Sequence, residues 1–151
     1  MQLEWQYKYF DELSVTELYS ILKLRNEVFV LEQNCVYQDA DDKDQLSFHL
    51  MGYANNELAA YCRILPPGLA FPEASIGRVL TSPQYRKAGA GRALMTLAIS
   101  KTLKQFSVGK IAIGAQLYLK KFYSSLGFVP VGNVYLEDGI EHIEMLLEQP
   151  V

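Results

Sequence analysis

The hydrophobic period changes several times along the chain, and each change predicts an element. Glu4 to Phe10 is rich in aromatics and reads as a first strand. Ser14-Val15-Thr16-Glu17 is a capping box, so a helix is expected to start at Ser14. Leu18, Ile21, Leu22, Val28 and Phe29 then follow at the spacing of one helical face, with Arg25 as a cation on that apolar stripe. Phe48 to Ala54 and Leu58 to Leu65 read as strands flanking an Asn55-Asn56 turn. Pro66-Pro67-Gly68 and Pro72 mark a loop, and Ser75 to Thr81 the next strand. A helix from about Gly91 to Phe106 carries Met95, Ile99, Leu103 and Phe106 on one stripe. Lys110 to Gly114 is a short apolar strand. Gln116 to Leu126 reads as a helix with Leu119, Phe122, Tyr123 and Leu126 inward, stopped by Gly127. Phe128 to Val131 and His142 to Leu147 read as final strands joined through Glu137-Asp138-Gly139. Strands alternating with helices in the second half predict βαβ units, and the central hairpin predicts a mixed sheet, an α/β (α+β) arrangement. No repeat, low-complexity segment or interior linker breaks this order, so one domain over residues 1–151 is expected.

Composition narrows the function classes. Half of the 151 residues are hydrophobic and 21% are charged, an ordinary globular balance. The formal net charge is −3 and no long basic run exists, which argues against a nucleic-acid partner. No apolar stretch approaches the roughly 20 residues of a membrane span, and residues Met1 to Gln6 lack the basic and apolar regions of a signal peptide. A cytoplasmic protein with no membrane partner is expected. Cys35 and Cys62 form no disulfide framework and no C-x-x-C pair. Cys62, in a strand, is expected to pack as a small apolar residue, and Cys35, in a polar loop, is a candidate reactive thiol.

The run Arg86-Lys87-Ala88-Gly89-Ala90-Gly91 carries the most chemistry. It is an R-x-x-G-x-G loop between a strand and a helix. First-turn N–H groups of a helix lack intrahelical partners, and the macrodipole puts partial positive charge there. Gly89 and Gly91 lack a Cβ that would keep a phosphate from the backbone. Arg86, Lys87 and Arg92 add formal charge. On spacing alone, an anion site for a diphosphate-bearing cofactor and an ordinary polar turn both fit. The dinucleotide fingerprint fails because Leu94 stands where its third glycine belongs, and no Gly-Lys-Ser/Thr completes a Walker A motif.

With these neighbours the chain resembles the GNAT superfamily of acetyl-CoA-dependent N-acetyltransferases. Arg86-x-x-Gly89-x-Gly91 is similar to the superfamily's Q/R-x-x-G-x-G/A loop. Phe122-Tyr123-Ser124-Ser125-Leu126-Gly127-Phe128 is similar to its F-Y-x-x-x-G-F segment, one helix and one strand further on. That likeness covers about residues 45 to 147. Leu24 to Asp44, Ile76-Gly77-Arg78-Val79 and Glu137 to Met145 also resemble the ElaA-type branch, extending the likeness over nearly the whole chain.

The resemblance implies a central mixed, mostly antiparallel sheet of about six to seven strands with helices on both faces. Two strands, Ser75 to Thr81 and Lys110 to Gly114, should splay apart to admit the pantetheine arm of acetyl-CoA. Backbone groups of Val79, Leu80 and Thr81 would pair with that arm, the Leu80 N–H polarising the thioester carbonyl. Arg86, Lys87, Ala88, Gly89, Ala90, Gly91 and Arg92 would hold the pyrophosphate, with Gln116, Leu119 and Tyr123 also on the donor. Gln116 stands where many relatives carry an asparagine. Tyr123 matches the tyrosine that protonates the leaving thiolate. For the general base the available groups are Glu32, Asp39, Asp42, His49, Glu141 and His142. His142 and Glu32 rank first, beside a water-mediated base.

The acceptor is expected to be a primary amine of a small molecule or peptide; the alternative is a non-catalytic CoA-binding module. A homodimer through the final strands is possible in this reading, and no metal is expected. An EF-hand fails in the acidic loop, because twelve residues from Asp39 end at Leu50 and the sixth is Asp44 rather than glycine. A solvated acidic surface is the default there, and attraction of a cationic amine by Glu32, Asp39 and Asp42 the alternative. Arg25 is expected to snorkel or to pair inside with a carboxylate such as Glu32. Arg63 and Arg78 would pair with the acids or bind an acceptor carboxylate.

Overall fold

The computed structural model describes residues 2–150. The capping box forms as read. The Ser14 hydroxyl accepts from the Glu17 N–H at 3.0 Å, and the Glu17 carboxylate accepts from the Ser14 N–H at 2.8 Å. Helix α1 (Val15–Arg25) then widens into a π-helical stretch, Asn26–Glu32. Such stretches are rare and often found at functional sites. Its apolar side, with Ile21, Leu24 and Val28, packs on Met51, Tyr61 and Leu80 of one sheet face. Helices α2 (Ala90–Phe106) and α3 (Lys120–Ser125) lie against the other face. There Leu94, Met95, Ile99 and Phe128 meet Ile113 and Met145. No helix among the described residues is long and apolar enough to cross a membrane.

The sheet has eight strands: β1 (Glu4–Tyr9), β2 (Phe48–Ala54), β3 (Glu57–Leu65), β4 (Ala74–Thr81), β5 (Lys110–Gln116), β6 (Val129–Pro130), β7 (Tyr135–Glu137) and β8 (Ile140–Glu148). The order is β1-β2-β3-β4-β5-β8-β6, with β7 also on β8. Among the described residues only β4 and β5 run parallel, and they pair at just two positions, Ala74 with Ile111 and Ser75 with Ala112. Beyond these they diverge. β5 keeps a continuous antiparallel ladder with β8 from Lys110–Glu148 to Gln116–His142, so one continuous strand forms the far lip of the gap.

The expected sheet is short by one strand. β7 is three residues with no buried side chain, so it left no hydrophobic alternation to read. It pairs with β8 through Asp138-Gly139, both at positive φ (52° and 78°), a tight two-residue hairpin turn. The final strand therefore begins at Ile140, not His142, and the expected strand Phe128 to Val131 shrinks to two residues. Gln116, expected to open a helix, instead ends β5; Leu117–Leu119 form a 3-10 turn and α3 starts at Lys120.

Candidate active site

The divergence of β4 and β5 opens a cleft of about 1160 Å³. That slightly exceeds the roughly 300–1,000 Å³ of common small-molecule sites, so it suits a long ligand together with a second one. Its inner wall is the free edge of β4. Opposite Cys62, β4 carries one extra residue: Tyr61 pairs with Leu80 but Arg63 pairs with Gly77. This bulge puts Arg78 at φ 50° and turns the strand. Past it, ladder alternation decides which amides face the gap. The Ser82 N–H donates to the Ala59 carbonyl at 2.7 Å. Leu80, two residues earlier, then directs its N–H toward β3 as well, while Val79 and Thr81 direct theirs to the cleft. The Leu80 N–H, expected to polarise a thioester, thus faces β3 rather than the cleft; the Leu80 side chain packs under α1.

The glycine loop follows. Gly89 adopts φ 78° as the residue before α2, and a Cβ there would meet nothing within 4 Å, so the space above it is open. The first α2 amides lie at the cleft with Ala90, Gly91 and Arg92, and Arg86, Lys87 and Gly89 line it too, while Ala88 does not. Arg92 donates to the Ser125 hydroxyl at 2.6 Å and lies over the Phe122 ring. Arg86 forms a two-pronged ion pair with Glu32, at 2.6 and 2.5 Å, and also reaches the Thr81 carbonyl. The hydrogen bond from Arg86 holds the Glu32 carboxyl below its usual range. Such a carboxylate is a poor proton acceptor.

On the opposite lip, Gln116 exchanges amide hydrogen bonds with Gln33, both at 3.2 Å. Leu119 and Tyr123 line the cleft from the start of α3. Tyr123 is only 6% exposed, its ring in edge contact with Phe122 and Phe128. Burial pushes its phenol well above the ordinary value, so it keeps its proton at neutral pH. His142 lines the same cleft, stacked on Tyr135. Its Nδ1 lies 2.7 Å from the Ile140 carbonyl, which can only accept; in the neutral ring Nδ1 therefore carries the proton and Nε2 the lone pair. Glu137 Oε2 is 3.7 Å from that Nε2.

The acidic loop is not a solvated surface. Arg25, completely buried, reaches Asp39 and Asp44 at 2.7 Å each. Arg63 reaches Asp41 at 2.6 Å and Asp44 at 3.0 Å, and Arg78 reaches Asp39 at 2.8 Å. Three arginines thus balance three aspartates, and Arg25 pairs with these rather than with Glu32. Burial alone would raise the Asp41 and Asp44 carboxyls, but the hydrogen bonds and charge of Arg63 and Arg25 outweigh it, holding Asp41 well below the carboxylate range and lowering Asp44 as well. Asp42 stays exposed. His49 is buried between the Tyr61 hydroxyl and the Asp44 carbonyl, and burial lowers its pKa and keeps it neutral. Cys35 is buried rather than a free loop thiol, its Sγ donating to the Asp138 carbonyl at 3.2 Å. Cys62 packs in the core as expected. Gln33 and Tyr135 joined the site without a distinct signal: Gln33 acts through a residue 83 positions away, and Tyr135 sits on the unread strand.

A mixed sheet splayed at one parallel pair, with a glycine loop and a helix start at the open end, matches the fold of an acyl-CoA N-acyltransferase. The crystal structure of an acyl-CoA N-acyltransferase from Pseudomonas aeruginosa superposes with a TM-score of 0.92 at 39% identity, covering 97% of this chain and 99% of that one. The crystal structure of Escherichia coli ElaA gives 0.91 at 42% identity, covering 97% and 100%. Residues 15–149 match the model of the acetyltransferase (GNAT) domain. Protein ElaA of Escherichia coli is 43% identical over 148 residues, covering 97% of each chain. A Synechocystis relative is 42% identical over 151 residues, covering 99% of this chain and 98% of its own. The chain belongs to the GNAT acetyltransferase family, in its ElaA-type branch, and is an N-acetyltransferase that draws its acyl group from CoA.

Proposed function

We propose that the protein transfers the acetyl group of acetyl-CoA to a primary amine of a small molecule or peptide by direct attack. The observation that carries this is the meeting of Tyr123, His142 and the free edge of β4 on one cleft. The donor's pantetheine arm pairs with Val79 and Thr81 as an added strand, and its diphosphate rests on the loop from Arg86 to Arg92. The fit is supported by the open space over Gly89 and by the unpaired β4 edge.

The acceptor must lose its proton to react. For a lysine-like amine of pKa roughly 10.4 this costs about 4–5 kcal/mol at neutral pH. His142 Nε2, with its lone pair free for the cleft, takes that proton directly or through a water. We assign this role to His142 rather than Glu32, whose carboxylate is held by Arg86. The amine nitrogen bonds to the thioester carbon, the carbon–sulfur bond breaks, the Tyr123 hydroxyl gives its proton to the sulfur, and the proton the nitrogen sheds as the amide forms returns to the Tyr123 oxygen. A β4 amide stabilises the oxygen as charge develops on it.

An acceptor screen with mass detection of acetylated product, run with acetyl-CoA over amines, amino acids and peptides, tests this reading. Acetylation of at least one primary amine is the expected result. A protein that binds acetyl-CoA tightly and acetylates none of them would instead be a CoA-binding module.

A further inference from the structure

Glu32 and Gln33, consecutive at the end of the π-helical stretch, reach the two lips of the cleft. Glu32 grips Arg86, just past β4, and Gln33 grips Gln116 at the end of β5. Together they tie α1 across the gap that the donor arm would enter. The Glu32 contact differs in kind from the Gln33 contact. Arg86 belongs to the anion-binding loop, and both terminal guanidinium nitrogens face one carboxylate, the geometry a phosphate group also requires. The share of the loop's charge that Arg86 supplies is thus already paired from within the chain. Both partners are 38% exposed, so the pair is worth little by itself and is readily exchanged.

We propose that Glu32 is a built-in competitor for Arg86: it holds the guanidinium when the donor is absent, yields it to the donor's diphosphate, and retakes it as CoA leaves. This rests on the reading of the glycine loop as the diphosphate clamp. The consequence is a donor affinity set below what the loop can reach, which favours release of the CoA product, a step that commonly limits turnover. Glu32 then acts as a positioning residue for Arg86.

The test is CoA binding by calorimetry for the wild type, Glu32→Gln, Arg86→Gln and the double variant. S-Acetylpantetheine, which carries the arm but no diphosphate, serves as control ligand. Glu32 is exposed, so Glu32→Gln leaves the core untouched. Glu32→Gln should bind CoA about two- to fivefold tighter, the scale of one exposed ion pair. Its affinity for S-acetylpantetheine should not change, and the gain should vanish in the Arg86→Gln background. Weaker or unchanged CoA binding by Glu32→Gln overturns the competition, as does an equal gain for S-acetylpantetheine. A wild type that binds both ligands equally overturns the clamp itself, so the two failures are distinguishable.

Discussion

Replacing Arg25 with methionine tests whether the buried charge network holds the cleft wall. Arg25 is fully buried and makes three polar contacts, to Asp39 Oδ2 and Asp44 Oδ1 at 2.7 Å and to the Asp39 carbonyl at 3.2 Å. Methionine fills most of the stem volume, so the main loss is the cation. Removing one partner of a buried ion pair costs about 3–5 kcal/mol. Here the cost falls at the lower end, because Asp44 keeps Arg63 at 3.0 Å and Asp39 keeps Arg78 at 2.8 Å. About 3 kcal/mol in a chain of this size lowers Tm by roughly 6–12 °C. The acid dependence follows with a definite sign. The Asp44 carboxyl is depressed in the folded state, so its contribution is present above the unfolded value, about pH 4, and is lost as pH falls through the lower folded value. Once Asp44 is protonated, wild-type Arg25 is itself a buried cation with one partner fewer. The gap between wild type and variant should therefore narrow below about pH 4. Urea and thermal unfolding at pH 7 and pH 3.5 measure both effects. A variant as stable as the wild type at pH 7, or a gap equal at both pH values, refutes the reasoning.

Three further outcomes are expected. Tyr123→Phe should lower turnover by roughly a hundredfold or more while CoA affinity stays within about twofold, since the ring contacts persist and only the hydroxyl is lost; unchanged turnover in steady-state assays removes Tyr123 from the acid role. His142→Gln should lower turnover by roughly a hundredfold while CoA affinity stays within about twofold; unchanged turnover points to another base. Gly89→Val places a β-branched residue at φ 78°, a strain of about 1–3 kcal/mol, and should weaken CoA binding at least tenfold with the far-ultraviolet circular dichroism preserved; retained affinity means this loop does not hold the diphosphate.

Features whose partners lie close in the chain were open to inspection. The Ser14–Glu17 box closes over three residues, and Gly89 before α2 is demanded by one turn's geometry. The loop and the Phe122 to Phe128 segment were equally plain, each a contiguous run on one connection. Where the partner is distant, sequence pattern named the residue but not its role. Arg25 stood out as a cation on an apolar stripe, yet its partners lie 14 and 19 residues on, beyond the helix. The acidic loop read by default as a surface; pairing of its acids with Arg63 and Arg78 was one of two readings for those arginines, and nothing local decided between them until the two strands brought them to the loop.

The amino-acid order by itself therefore determined most of the elements and the position of the glycine loop before α2, because hydrophobic period, capping and turn chemistry act over a few residues. It did not determine where β4 and β5 part, which amides of β4 face the gap, or that Glu32 holds Arg86. Two paired positions at Ala74 and Ser75, followed by the bulge at Arg78, decide the cleft. Those depend on how eight strands and three helices share one sheet. Only the folded chain brings residues 32 and 86 together and settles which charges are free.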